Sequence, residues 1–260
     1  MTSPSSTVAP SATPMAAGAA RDLAALERAA AKPMFGWLFL VGLLAIVGTY
    51  IRAIYFTPPD ALQGVVQKLY YLHFPTALGA YIAVCTTALC SIVYLWLHDE
   101  RADRLAEASA EVGLVFLMVV MSMGSIWGHV IWGTWWAWWD LRLALTLFLW
   151  FVVAAYLVLR GAIDEPDQRG RYSAVLGILG ALLIPFIHLS VYFTDAHLHP
   201  MPVIAQPGKP KLPSQMLVTF LISFASFTVF CIGLIRARYR LGVRRDLLAA
   251  LDERRERGVA

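Results

Sequence analysis

Charge is what this sequence has least of. Only 15% of its 260 residues are Asp, Glu, Lys or Arg, against about 25% in an average soluble domain. Hydrophobic residues make up 59% of the chain, and mean hydropathy is +0.64. This balance excludes a disordered chain, a basic nucleic-acid-binding domain and most soluble enzymes. The net charge of +4 calls for no polyanionic partner. Cysteine is also scarce. Cys85, Cys90 and Cys231 all sit in apolar runs and none forms a Cys-x-x-Cys pair, which excludes a thiol–disulfide oxidoreductase or a Cys-based metal site. Residues 1–33 are rich in Ala, Ser, Thr and Pro and lack the charged start and apolar core of a signal peptide. They read as a disordered tail with a short helix over 21–31, ending before Pro33. No nucleophile–base pair or substrate redox centre is visible, so a conventional enzyme is not expected.

The residues that are present form six long apolar runs: 34–56, 74–97, 112–131, 141–159, 173–193 and 215–235. Each is close to the ~20 residues that cross a bilayer core as a helix. Lipid offers no hydrogen-bond partners, so a spanning backbone must satisfy itself, and a helix does so. The expected fold is an all-α integral membrane protein with six transmembrane helices over 34–235. A tail over 1–33 precedes it and a basic tail over 236–260 follows.

Basic residues orient the bundle. With both termini cytoplasmic, sixteen of the 21 Lys and Arg fall on the cytoplasmic face, eight of them in the C-terminal tail. Only Arg52, Lys68, Arg142, Lys209 and Lys211 lie on or near the other face. Such a bias marks the inside. The connections 57–73, 132–140 and 194–214 then lie outside.

The outer connections hold the unusual composition. Of nine Trp, six fall within 127–139: Trp127, Trp132, Trp135, Trp136, Trp138 and Trp139. An interfacial belt places one or two Trp at a helix end, anchoring it by an apolar ring and a polar N–H. Six in thirteen residues form an aromatic shelf instead, suited to a large, flat, apolar ligand held by ring contacts. Gly128 and Gly133 let backbone approach such a ligand. Thr134 offers a hydroxyl. Arg142 either pairs with an anionic group on the ligand or pairs with Asp140 to fix the loop.

Four of the six histidines share this face: His73, His129, His197 and His199. Neutral imidazole is a good iron ligand. Haem is flat, carries two propionates and takes one or two axial ligands. His73 and one of His197 and His199 flank the Trp loop, so two imidazoles could clamp the iron while the shelf holds the macrocycle. His129 stands beside the shelf with no assigned role. His188 lies within the fifth run and reads as a core histidine.

The chain resembles the CcmC, or haem exporter protein C, family over about residues 35–235. Three motifs carry the resemblance. They are Pro59-Asp60-x-x-Gln63-Gly64 leading to Tyr71-Leu72-His73-Phe74-Pro75, the Trp-rich segment Trp127 to Arg142, and Ser190-Val191-Tyr192 leading to Leu198-His199-Pro200. The resemblance implies haem b bound at a periplasmic Trp-rich domain of the bacterial inner membrane, with His73 and His199 as axial ligands and His197 as second choice. It implies haem delivery to a membrane-tethered chaperone for c-type cytochrome biogenesis, helped by an ABC transporter complex. Family members usually have Trp-x-Trp-Asp after the paired Trp. This chain has Trp136-Ala137-Trp138-Trp139-Asp140, which leaves open whether Trp138 or Trp139 faces the ligand. Two other functions remain in view: a subunit of a cytochrome c haem-attachment synthase, and a small-molecule or proton-coupled transporter. The short chain argues against the first. The nearly charge-free midplanes argue against the second.

Overall fold

The six apolar runs fold as six helices, each long and apolar enough to cross a membrane. The computed structural model describes residues 24, 27–28, 31, 33, 35–193, 198–199 and 212–256. Helix α1 spans Trp37–Tyr55, α2 Tyr70–Leu97, α3 Glu100–Trp132, α4 Leu141–Ala162, α5 Pro166–Leu189 and α6 Ser214–Glu256. Short 3-10 turns cover Val65–Leu69 and Ser190–Tyr192. No strand occurs among the described residues. The chain divides into two units, Phe35–Tyr239 and the paired termini Met1–Met34 with Arg240–Ala260. The first unit carries everything that follows. In the second, the described residues are chiefly the last turns of α6.

Three boundaries differ from the sequence reading. Helix α3 begins at Glu100, twelve residues before the apolar run, with the Asp99 side chain accepting the Arg101 N–H as its N-cap. Helix α6 continues past residue 235 to Glu256. Helix α2 begins at Tyr70, so His73 stands in a helical turn and not in the connection before it.

Helices α2 to α5 form a ring, α2 packing on α3 and α5, and α4 on α3 and α5. Most of the facing residues are small: Ala80, Ala83 and Val84 on α2 share one core with Ala106, Ala110, Phe116 and Leu117 on α3. Small residues let helices approach in lipid, where burial from water supplies no attraction between them. Helix α6 adds Phe227, Cys231 and Ile235 to the same core. Helix α1 leans on α6 through two glycines. A Cβ on Gly42 would stand 2.6 Å from the Phe230 backbone, and one on Gly233 would stand 2.7 Å from the Phe39 backbone. The opposite stripe of α1, from Leu40 through Leu44, Val47 and Ile51 to Ile54, is exposed. An aqueous protein would cover so large an apolar face, whereas lipid solvates it.

Polar links mark both ends of the ring. At the end of α3 near Glu100, Asp103, Glu107 and Glu111 repeat every fourth residue on one face. Asp103 takes both arms of the Arg160 guanidinium, each at 2.7 Å, Glu107 takes one at 3.1 Å, and Glu111 pairs with Arg238. At the other end, Pro75 lacks the N–H that would bond the Tyr71 carbonyl one turn back. The Ser223 hydroxyl of α6 donates to that carbonyl instead. The break therefore costs no buried hydrogen bond, and the first turn of α2, which carries His73, is fastened to α6.

Candidate functional site

The site is built where α3 stops. Gly133 adopts φ of +73°, which a glycine reaches without strain, and its N–H closes on the His129 carbonyl at 3.1 Å. The chain then returns to α4 in a short connection that contains most of the Trp run. Inside it, the Thr134 hydroxyl donates to the Trp136 carbonyl at 3.1 Å, and the Asp140 N–H reaches the Ala137 carbonyl at 3.1 Å. Thr134 thus holds the loop's shape. Trp135, Trp138 and Trp139 are exposed, at 59%, 74% and 61%. Trp136 is half-buried and meets Trp138 edge-on at 6.0 Å between ring centroids. Both Trp138 and Trp139 therefore present open rings.

Trp127 and Trp132 look inward from the last turns of α3. Gly128 makes room for Trp132, whose ring would lie 2.9 Å from a Cβ at that position. The Trp127 indole N–H donates to Gln63 Oε1 at 3.1 Å, which ties the first connection to α3. Each of these rings touches one of the two candidate iron ligands. His73 lies edge-on to Trp127 at 5.9 Å, and His199 lies edge-on to Trp132 at 5.1 Å.

His73 is packed against α3 at Gly124, where a Cβ would stand 3.0 Å from its Cε1. Its Nδ1 is buried without a hydrogen-bond partner among the described residues. Orphaned buried nitrogens are rare, and each asks for a reason. A metal or ligand contact is one such reason.

Asp140 holds the other side together. It is fully buried, and its Oδ1 caps α4 by accepting the Leu143 N–H at 3.1 Å. Its Oδ2 accepts the Leu198 N–H at 2.9 Å and faces His199 Nδ1 at 3.3 Å. Burial pushes this carboxyl up, but the hydrogen bonds from His199, Leu198 and Leu143 outweigh burial and hold it well below the usual carboxylate range. Asp140 is therefore an anion, and an anion only accepts, so the hydrogen bond at His199 Nδ1 is donated by the imidazole.

The remaining candidates separate. Arg142 forms no ion pair with Asp140. Its Nε and a terminal nitrogen donate to the Ile187 and His188 carbonyls at the end of α5, both at 3.3 Å, where a cation also meets the negative pole of the helix. His129 is exposed and stacks flat on Trp135, centroids 4.1 Å apart and planes 6° from parallel. His188 is exposed and edge-on to Tyr81 at 5.2 Å, so it is no core histidine. His197 lies outside the described residues. The sequence reading gave no role to Gln63 or Gly124. The Gly124-x-x-x-Gly128 spacing, a small-residue face on an apolar helix, was the available signal for the latter.

Six apolar helices, with an open Trp loop and two imidazoles each set against a Trp ring, define an integral membrane protein. The heme exporter protein C family matches residues 21–252, and the chain belongs to that family. It is 31% identical over 214 residues to the Heme exporter protein C of Haemophilus influenzae, covering 82% of this chain and 85% of that one. It is 30% identical to the protein of that name from Paracoccus denitrificans, over 78% and 84% of the two chains. The Escherichia coli protein is 27% identical over 84% and 85%.

Proposed function

We propose that this protein holds haem b at the outer face of the bacterial inner membrane and passes it to a periplasmic haem chaperone during c-type cytochrome biogenesis. The observation that carries the reading is that His73 and His199, distant in sequence, each stand edge-on to a ring of the Trp run, Trp127 and Trp132. Iron accepts two such nitrogens, and haem supplies the flat apolar surface that Trp135, Trp136, Trp138 and Trp139 would cover. His199 is favoured over His197 because Asp140 fixes its ring. Arg142 is engaged with α5, so its part is to hold α4 against α5 beneath the ligand. The charge bias supports cytoplasmic termini and an outward-facing shelf. An ABC transporter complex and the surrounding lipid are the other partners.

This chain's residues supply position and exclusion of water, while the iron belongs to the cargo. The open faces of Trp138 and Trp139 leave a side from which a chaperone can reach the ring. Purification from haem-replete cells should yield the absorption spectrum of haem with two nitrogen ligands. His73→Ala and His199→Ala should each lose that signature. Wild-type ligation in both variants would rule the clamp out.

A further inference from the structure

The two imidazoles are not equivalent. His199 faces a buried carboxylate through Nδ1, and the same oxygen also takes the Leu198 N–H. Among the described residues His73 Nδ1 has no hydrogen-bond partner, and the polar group its ring meets is the Val120 carbonyl, a neutral acceptor and not a carboxylate. A carboxylate accepting from the far nitrogen fixes the tautomer of a metal-binding imidazole, fixes its ring and strengthens its donor nitrogen. We propose that Asp140 is the positioning residue of the haem site, acting through His199 alone and making His199 the strong ligand and His73 the exchangeable one.

The inference rests on the reading that both histidines ligate haem. The geometry gives Asp140 three linked tasks. Its Oδ1 is fixed by the N-terminus of α4 at Leu143, so the carboxylate cannot swing. Its Oδ2 anchors the third connection at Leu198, next to the ligand. The same oxygen orients the His199 ring, which Trp132 braces from the side. On the other side, Trp127 braces the His73 ring and Gly124 receives it, but no anion strengthens its donor nitrogen. An incoming ligand from a chaperone therefore displaces His73 first, and His199 keeps hold of the iron until the second step.

The test uses the full-length protein loaded with ferric haem. Asp140→Asn keeps the size and can still cap α4 through its carbonyl oxygen, but presents a neutral amide to His199. The midpoint potential of Asp140→Asn should shift upward, because a weaker donor stabilises ferric iron less. Added imidazole should displace a protein ligand at several-fold lower concentration than in the wild type. In His199→Ala with 1-methylimidazole supplied as replacement ligand, which has no N–H to offer a carboxylate, adding Asp140→Asn should change neither quantity. An equal shift in that background, or an unchanged potential and imidazole titration in the single variant, overturns the proposal. If Asp140→Asn retains no haem, the double variant filled with 1-methylimidazole still decides. Recovery of haem there supports action through His199, and continued loss refutes it. The underlying reading fails separately, if His199→Ala leaves ligation and potential unaltered.

Discussion

Adding one methyl group to α3 should disturb His73 without removing any polar group. In Gly124→Ala the new Cβ falls 3.0 Å from His73 Cε1 and 3.5 Å from Nδ1. Carbon atoms rest at about 3.5–4.0 Å, so the ring must retreat by roughly 0.5–1 Å. Overpacking of this kind costs about 1–3 kcal/mol. The better helix propensity of alanine returns up to about 1 kcal/mol. Net stability should therefore fall by between nothing and about 2 kcal/mol. Ligation should suffer more, because a site of this kind tolerates displacements of only about 0.5 Å. The assay pairs thermal unfolding in detergent with the absorption and resonance Raman spectra of the haem-loaded protein. Gly48→Ala is the control, since nothing lies within 4 Å of its new Cβ. The expected result is near-normal unfolding with weakened His73 ligation. Ligation and haem retention equal to wild type would refute the claim that α3 sets the position of His73.

Three further outcomes follow from the packing. Gly42→Ala pushes a Cβ into the Phe230 backbone, which cannot rotate away, so it should destabilise by about 1–3 kcal/mol while Gly48→Ala does not; differential unfolding in detergent measures the gap. Arg160→Met removes the shared partner of Asp103 and Glu107, and breaking a buried pair costs about 3–5 kcal/mol. Here the lower end is expected, because Glu107 is partly exposed, and adding Asp103→Asn should recover part of the loss. Gln63→Leu strips the Trp127 indole of its acceptor, worth about 1 kcal/mol, and should reduce the haem retained through gel filtration, with Gln63→Glu restoring it.

The six spans were legible because lipid imposes a simple rule on length and polarity. Their ends were less so. Residues 100–111 looked like a connection since they carry acids. In the fold those acids lie on one helix face and meet Arg160 and Arg238, contacts that no local pattern reveals. His73 was read as a loop residue because the turn around it is aromatic and polar, and Pro75 follows two positions later. The Trp loop and the gathering of histidines on its face were visible from composition, whereas the choice of His199 over His197 came from the family resemblance. The role of Asp140 was not visible. Its neighbour in sequence, Arg142, suggested a local pair, whereas its partners are Leu198 and His199, across the whole length of α4 and α5. Of the two readings of Arg142, the pair with Asp140 does not form, and its acceptors lie at the end of α5. Long-range pairings of this sort belong to the topology and leave no trace in spacing.

The Ser223 hydroxyl on the carbonyl freed by Pro75 sets an order of manufacture. A ribosome delivers the His73 turn first, then the Trp shelf and Asp140, then His199, and only afterwards the helix that fastens the His73 turn. A half-made chain in the membrane thus displays the aromatic surface before its two grips are both secured. The site becomes whole only with the final span, so a chain cut short before Ser223 would carry the shelf and both histidines yet leave the first grip untied.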